Sequence, residues 1–181
     1  MKTFALIGTL TCALAVTASA GAQALPTATA AGNFQVGGGY TIANPDYGQK
    51  DIKGITGFAD FDFSPHVGVE ATVHYVALVT PTDLAENTYL VGPRFLISRG
   101  RFNLYAKGLI GEGDLVIQEI QDNIGHPGGF YFAYAMGGGV DIRATNHIVI
   151  RAFDAELQKW PNYGNGLSPV VITFGAAYRF R

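Results

Sequence analysis

The sequence predicts an all-β protein: an eight-stranded antiparallel up-and-down transmembrane β-barrel, preceded by a cleaved signal peptide. Three observations lead to this fold class. After residue 30 the chain alternates apolar and polar residues with a period of two, which is typical of strands with one apolar face. Short turns alternate with long loops along the chain, as in barrels of the outer membrane. The last strand stays apolar on one face up to Phe180, the second-last residue.

The N-terminal segment, residues 1–24, has the pattern of a secretory signal peptide. Lys2 precedes an apolar run, and small residues follow before a cleavage site. Cleavage is predicted after Ala24, with Ala-Ser-Ala at 18–20 as the alternative site. The apolar run is too short to cross a bilayer as a helix. Residues 25–32 then form a short periplasmic lead-in to the barrel.

The length of 181 residues leaves room for one domain, the barrel of residues 33–181, and the low charge content fits a lipid-facing protein or one buried on both sides. Charged residues make up only 14% of the sequence, against roughly 25% in soluble domains. The net charge is −2 and no basic patch occurs, so no nucleic-acid partner is expected. The single cysteine, Cys12, lies in the predicted signal peptide. The exported chain is therefore expected to be stabilised without disulfides.

Eight runs of alternating residues follow one another after the lead-in. They cover residues 33–42, 54–63, 67–79, 88–97, 102–110, 130–141, 148–152 and 170–180. Pro93 interrupts the fourth run, and a bulge or a local break is expected there because proline lacks the N–H that a ladder needs. The seventh run loses its alternation at Phe153 and Asp154, which indicates a bulge or the end of the lipid-embedded zone.

The connections between these strands alternate in length. Short turns are predicted at 64–66, 98–101 and 143–147, and longer loops at 43–53, 80–87, 111–129 and 157–168. In outer-membrane barrels the short turns are periplasmic and the long loops are extracellular. The first strand then runs from the periplasm toward the cell exterior, and both ends of the chain are expected in the periplasm of a Gram-negative bacterium.

One face of each strand is free of charge through its central portion. The other faces carry eight charged residues: Asp60, Asp62, Glu70, Arg94, Lys107, Asp141, Arg151 and Arg179. Exposed aromatic residues are expected in two girdles at the headgroup zones. They are Phe61, Phe63, Phe102, Tyr178 and Phe180 near the short turns, and Tyr40, Tyr75, Tyr89, Phe130 and Phe132 near the long loops. This pattern favours a membrane barrel over a soluble, lipocalin-like barrel, which would present its charges outside.

If the charged faces point inward, acids and bases meet across a narrow lumen, since eight strands leave room only for side chains. The predicted lumen ion-pair layer consists of Asp60, Glu70, Arg94, Lys107 and Arg151. Isolated buried charge is costly, which favours pairing and a plugged lumen over scattered charges in a wet interior. A conducting pore stays open as the alternative.

The C-terminal strand carries a second motif. Thr173, Gly175, Tyr178 and Phe180 have the order polar, glycine, aromatic, aromatic. This order resembles the C-terminal assembly signal of bacterial outer-membrane proteins, which the barrel-assembly machinery recognises. Residues 33–181 as a whole resemble the small OmpA-like, opacity-type outer-membrane β-barrel family, and the stretch GGGVDIRATNHIVIRAFDAEL is similar to its penultimate hairpin. The resemblance implies a monomeric or weakly associated barrel with mobile external loops, and it identifies no ligand.

No catalytic residues, metal ligands or cofactors are predicted. The four histidines, His66, His74, His126 and His147, have no cysteine or close carboxylate at metal-ligand spacing. The serines of the mature chain, Ser64, Ser98 and Ser168, belong to no Ser/His motif. Trp160 and Tyr163, in the last long loop, are expected to be exposed in the outer girdle or at a contact surface.

The sequence therefore predicts an integral outer-membrane barrel with a structural or surface-interaction role, exerted through its extracellular loops. The expected partners are outer-membrane lipid and lipopolysaccharide, the barrel-assembly machinery, and an external ligand of unknown identity at the loops. A small pore and an outer-membrane lipid-modifying enzyme are the alternative functions.

Overall fold

The computed structural model describes residues 32–45, 51–76, 84–117, 129–162 and 166–180. The predicted signal peptide, residues 1–24, lies outside the described residues. The predicted lead-in does as well, except for Gly32. The described part of the chain contains no apolar helix of membrane-spanning length.

Eight antiparallel strands form one closed barrel, which confirms the predicted fold class. They are β1 (Asn33–Asn44), β2 (Ile52–Asp62), β3 (Val67–Tyr75), β4 (Leu84–Arg99), β5 (Phe102–Ile117), β6 (Gly129–Arg143), β7 (Ile148–Lys159) and β8 (Val170–Phe180). Each strand pairs with the next, and β8 pairs with β1 from Phe34↔Phe180 to Asn44↔Val170. Closure leaves no strand edge, and hydrocarbon tolerates no edge with unpaired N–H and C=O groups.

The strand boundaries differ from the predicted ones mainly near the long loops. Strand β4 begins at Leu84 and β5 ends at Ile117, so much of the predicted loop 111–129 is strand. Strand β3 ends at Tyr75, four residues before the predicted boundary. Alternation in the sequence marks the membrane-embedded part of a strand. Beyond it, backbone pairing with the neighbouring strand decides the length.

The alternation places apolar side chains outside and charged ones inside. Most large apolar residues on the outer face are between 37% and 70% exposed, whereas Asp60, Glu70 and Arg94 are 0% exposed. All ten aromatic residues assigned to the two girdles are exposed. This confirms the prediction that apolar side chains face outward and charged side chains face the lumen. It excludes a soluble barrel that presents these charges to water.

Strand β4 has a local break at Pro93 without a bulge. Val91↔Ile110 and Arg94↔Lys107 keep the same offset, but Gly92 and Pro93 make no pair with β5. The pairing stops there because proline has no N–H to donate. Toward β3 the ladder continues without interruption through Val69↔Pro93.

Strand β7 contains a bulge at the position where its alternation fails. Toward β6 the pairs are Val140↔Phe153 and Asp141↔Arg151, so Ala152 is an extra residue with no partner of its own. The register toward β8 also shifts between Arg151 and Asp154. Of the two explanations that the sequence left open, the bulge is the one that occurs. The bulge determines whether each later residue of β7 faces the lumen or the outer surface.

Candidate functional site

The lumen contains a layer of buried charged side chains, called here the ionic layer. Its members come from strands β2 to β7 and are at most 5% exposed. They are Asp60, Glu70, Arg94, Lys107, Asp141, Arg151, Asp154 and Glu156. Because adjacent strands bring inward residues of similar height side by side, the pairings Asp60↔Glu70 and Arg94↔Lys107 assemble the layer directly from the register.

Two arginines bind the same set of carboxylates. Arg94 contacts Asp60 and lies 3.0 Å from Asp141 and 3.4 Å from Glu70. Arg151 lies 2.9 Å from Asp60, 3.1 Å from Asp141 and 3.2 Å from Glu70. Each guanidinium group therefore bridges three strands other than its own. Such shared, charge-assisted hydrogen bonds compensate the desolvation of the buried charges.

Aromatic rings flank the two guanidinium groups. The Arg151 guanidinium carbon lies 3.6 Å from the centroid of the Phe58 ring, and that of Arg94 lies 4.4 Å from the centroid of the Tyr105 ring. Both rings are nearly fully buried. Cation–π contacts of this kind are stronger when they are desolvated, and the rings occupy lumen space that water would otherwise fill.

Lys107 occupies the centre of a three-carboxylate cluster. Its Nζ lies 2.5 Å from Glu70 Oε1, 2.5 Å from Asp154 Oδ2 and 2.7 Å from Glu156 Oε1. Oxygen atoms of these three acids lie within 4.8 Å of one another, a spacing that would suit a metal ion. The lysine ammonium group takes the position of the cation, so the cluster works as an internal salt bridge.

A polar layer follows toward the long-loop end. His74 contacts Thr56 through Nδ1 at 2.6 Å and Glu156 through Nε2 at 3.1 Å. The Thr41 hydroxyl lies 3.0 Å from the Thr173 hydroxyl. These side chains are buried, and their contacts connect the ionic layer to the strands that close the barrel, β1 and β8.

Apolar side chains fill the lumen beyond the polar layer. One cluster contains Leu90, Leu109, Ala133, Ala135, Trp160 and Leu167, and a second contains Ala43, Ile52, Val76 and Val171. Trp160 is 0% exposed, so the expectation that it lies exposed in the outer girdle is wrong. The bulge in β7 causes this, because it turns Trp160 inward together with Asp154 and Glu156. Tyr163, predicted to be exposed as well, lies outside the described residues.

The structure brings together all five residues of the predicted layer. It adds Asp141, which the sequence placed on an inward face, and also Asp154 and Glu156, which sequence reasoning did not assign to the layer. A signal for two of these was present in the sequence. The polar residues at 154, 156 and 158 resume a period of two, shifted by one position from the earlier part of the strand.

The C-terminal motif of β8 divides between the two faces. Thr173 faces the lumen, while Tyr178 and Phe180 face outward and are both 48% exposed. The two rings contact each other edge to face at 5.0 Å, and Phe180 stacks on Phe34 of β1 at 5.5 Å. The aromatic pair therefore covers the seam where the last strand closes on the first.

The serines and histidines of the described chain form no catalytic pair. In the described ranges no serine hydroxyl bonds to a histidine ring. Ser64 accepts the backbone N–H of Val67 at 2.9 Å in the first short turn. Lys159 donates to Ser168 at 2.6 Å. The His147 ring stacks on Tyr178 at 5.6 Å. His126 lies outside the described residues.

Comparison with known proteins agrees with this architecture. The family model described as "Outer membrane protein beta-barrel domain" matches residues 10–180. No curated protein sequence matches the chain significantly.

Several solved structures have the same fold. The attachment invasion locus protein Ail of Yersinia pestis, solved with the heparin analogue sucrose octasulfate, has 18% identity and a TM-score of 0.53, covering 83% of this chain and 99% of that one. OprG of Pseudomonas aeruginosa has 14% identity and a TM-score of 0.58, covering 83% and 97%. Neisserial surface protein A has 13% identity and a TM-score of 0.53, covering 82% and 97%. At these identities the likeness shows the fold alone.

Proposed function

Since the chain belongs to the outer membrane protein β-barrel domain family, we propose that it is a non-conducting barrel whose long loops contact partners outside the cell. The observation that carries this proposal is the filled lumen. An ionic layer, a polar layer and two apolar clusters follow one another along the barrel axis. A barrel that transported solutes would need a continuous water-filled path, as in much larger barrels.

The proposed orientation has the short turns and both chain termini in the periplasm. The connections β2–β3, β4–β5 and β6–β7 are short, whereas those at the other end are long. This asymmetry supports periplasmic turns and extracellular loops. Phospholipid and lipopolysaccharide then surround the apolar outer face as the expected lipid partners. The motif Thr173, Gly175, Tyr178 and Phe180 would be read by the barrel-assembly machinery.

The charge of the long-loop end favours a basic partner. Eight acids lie there in the sequence: Asp46, Asp51, Asp83, Glu86, Glu112, Asp114, Glu119 and Asp122. Against them stand three lysines, Lys50, Lys53 and Lys159. Complementary charge increases the rate and the specificity of association. The sulfated ligand named for Ail would be repelled by such a surface, so a cationic protein or peptide surface is the better match for this chain.

A small pore and a lipid-modifying enzyme are the alternatives, and no contact in the described residues favours either of them. An enzyme of this kind needs a nucleophile with an activating base near the lipid boundary. The hydroxyl of Ser64 contacts backbone groups of its own turn. The contact between Lys159 and Ser168 is exposed at the long-loop end, with no oriented third group beside it among the described residues. We therefore assign no catalytic role to the barrel.

Planar-bilayer recording tests the sealed lumen. The purified protein is folded in detergent, its folding is verified by heat-modifiable migration in electrophoresis, and its conductance is measured. The expected result is the absence of a steady conductance. A steady conductance from the folded protein would contradict the proposal and would favour the pore.

Binding of a polycation tests the loop proposal. Folded protein in lipid vesicles is titrated with polylysine and, in parallel, with heparin. We expect salt-sensitive binding of polylysine only, weakened in a variant that combines Asp51→Asn, Glu112→Gln and Asp114→Asn. A variant with Asp60→Asn, which removes a buried charge inside the lumen, should bind polylysine as the wild type does. Preferential binding of heparin would refute a cationic partner.

A further inference from the structure

We propose that an arginine-lined cleft at the short-turn end of the barrel binds the phosphate of an anionic glycerophospholipid. The cleft has a volume of about 240 Å³. Its lining combines the β4–β5 turn, the β6–β7 turn and the end of β8. The residues are Gly100, Arg101, Arg143, Ala144, Thr145, Asn146 and Arg179.

Backbone hydrogen bonds hold the three segments of the cleft in place. Arg143 N donates to Arg101 O at 2.8 Å, which joins the two turns. Arg179 N donates to His147 O at 2.8 Å, which joins the second turn to β8. Within that turn, Thr145 Oγ1 accepts the N–H of Ile148 at 2.9 Å. A site formed before its ligand arrives loses less conformational entropy on binding.

The charge of the cleft suits an anion. Three of its lining residues are arginines, and among the described residues that line it none is acidic. The strand-end acid Asp62 accepts a hydrogen bond from Asn33 at 3.2 Å. Arg179 Nε donates to Oδ1 of the same asparagine, so Arg179 of the cleft also interacts with Asp62. Arg143 Nη2 donates to the carbonyl of Gly100, which fixes the guanidinium group across the turn, while its buried Nε has no hydrogen-bond acceptor. Guanidinium groups bind phosphate oxygens in bidentate geometry.

The position of the cleft favours a lipid phosphate. Phe102 directly follows Arg101, and Tyr178 and Phe180 flank Arg179; all three rings are about half exposed on the outer face. Aromatic girdles mark the level of the lipid headgroups. A phosphate held at this level can keep its acyl chains along the adjacent apolar surface, whereas a free phosphate would gain nothing from the girdle.

The lipid class depends on the orientation proposed above. With the short turns in the periplasm, the cleft faces the leaflet that consists of glycerophospholipids. Protease digestion of intact cells tests that orientation separately, because the loops and not the turns should be cleaved. An error in the proposed orientation would therefore appear in the protease digestion, whereas an error in the proposed lipid site would appear in the lipid-binding experiment.

Native mass spectrometry of the folded protein in detergent tests the site. Dioleoylphosphatidylglycerol, with a net negative phosphate, is compared with dioleoylphosphatidylcholine, whose phosphate is balanced by choline. We expect the wild type to retain one phosphatidylglycerol at about tenfold lower lipid concentration than phosphatidylcholine, the effect of one charge-assisted pair. The double variant Arg101→Gln with Arg143→Gln should lose this preference.

A charge-matched control is the double variant Lys53→Gln with Lys159→Gln, which removes two exposed positive charges from the opposite end. It should keep the wild-type preference, and heat-modifiable migration should show that both double variants are folded. Equal retention of the two lipids by the wild type, or equal loss in both double variants, would overturn the proposal. So would displacement of phosphatidylglycerol by millimolar inorganic phosphate, since it would assign the cleft to a free anion.

Discussion

Asp154 Oδ2 lies 3.2 Å from Arg151 Nη1, although the two residues are three positions apart on one strand. In a regular strand such residues point to opposite faces. The extra residue of the β7 bulge changes the phase, so both side chains face the lumen. The same shift brings Glu156, Gln158 and Trp160 inside the barrel. One bulge therefore lets β7 contribute side chains both to the ionic layer and to the apolar cluster that contains Trp160.

Deletion of Ala152 should leave the barrel able to fold. Without this residue β7 becomes a regular strand in which Arg151 and Asp154 still face inward. Deletion of Ala155 is the matched control, because no regular register then keeps both Asp154 and Glu156 inside. Facing one of these acids to lipid costs on the order of 2 kcal/mol. Heat-modifiable migration after folding into vesicles should show a high folded fraction for the first deletion and a low one for the second. Equal yields would contradict the role assigned to the bulge.

Replacing Lys107 with methionine should destabilise the barrel by about 3 kcal/mol, since three buried carboxylates lose their shared cation. The measurement is reversible urea unfolding in lipid vesicles. Lys53→Met, at an exposed position near the long-loop end, is the control and should change the free energy of unfolding by less than about 0.5 kcal/mol. A Lys107→Met variant as stable as this control would show that the ion pairs contribute little.

A shorter replacement at the same position, Lys107→Ala, should allow the cluster to bind a divalent cation. Oxygen atoms of Glu70, Asp154 and Glu156 lie within 4.8 Å of one another, and removal of the ammonium group leaves their centre free for Ca²⁺. Millimolar Ca²⁺ should raise the urea midpoint of the variant and leave that of the wild type unchanged. An equal response of the two proteins would show that Ca²⁺ acts elsewhere.

The fluorescence of Trp160 should report directly on the apolar cluster that fills the long-loop end of the lumen. It is the only tryptophan of the chain, and because it is fully buried its emission should be blue-shifted and resistant to quenching by iodide. Gly113→Ala should perturb this signal and destabilise the barrel by about 1–3 kcal/mol, because the new Cβ would overlap ring carbons of Trp160.

Gly57→Ala is the control for this substitution, because a Cβ there meets no atom within 4 Å. Its emission spectrum should equal that of the wild type. Strong iodide quenching of the folded wild type would instead place Trp160 in water.

Removing both exposed aromatic rings of the C-terminal motif should impair assembly in cells more than folding in detergent. The change is Tyr178→Ala with Phe180→Ala, and Phe61→Ala with Phe63→Ala is the matched pair in the girdle at the same end. If the assembly machinery reads the motif, only the first pair should reduce the amount of barrel in the outer membrane strongly. Similar losses for both pairs would assign Tyr178 and Phe180 to general anchoring.

The strand count, the facing of the strands and the five predicted lumen residues followed from local pattern. Alternation of apolar and charged residues is a property of each strand alone, and the side chains of a strand occupy only two faces. The two acids of the ionic layer that sequence reasoning missed, Asp154 and Glu156, lie after an irregularity of β7. Periodicity could mark the change of phase at Phe153 but could not say on which side the alternation would resume.

The sequence by itself determined that this chain forms a closed barrel with an apolar exterior, because lipid imposes one pattern on every spanning strand. Only the tertiary structure decided which charges meet. The partners of Lys107 are Glu70, Asp154 and Glu156, up to 49 positions away in the chain, and they come together through the strand register and the bulge. The inward position of Trp160 has the same origin. Contacts across a lumen depend on how all eight strands are staggered, and no single segment of the sequence contains that information.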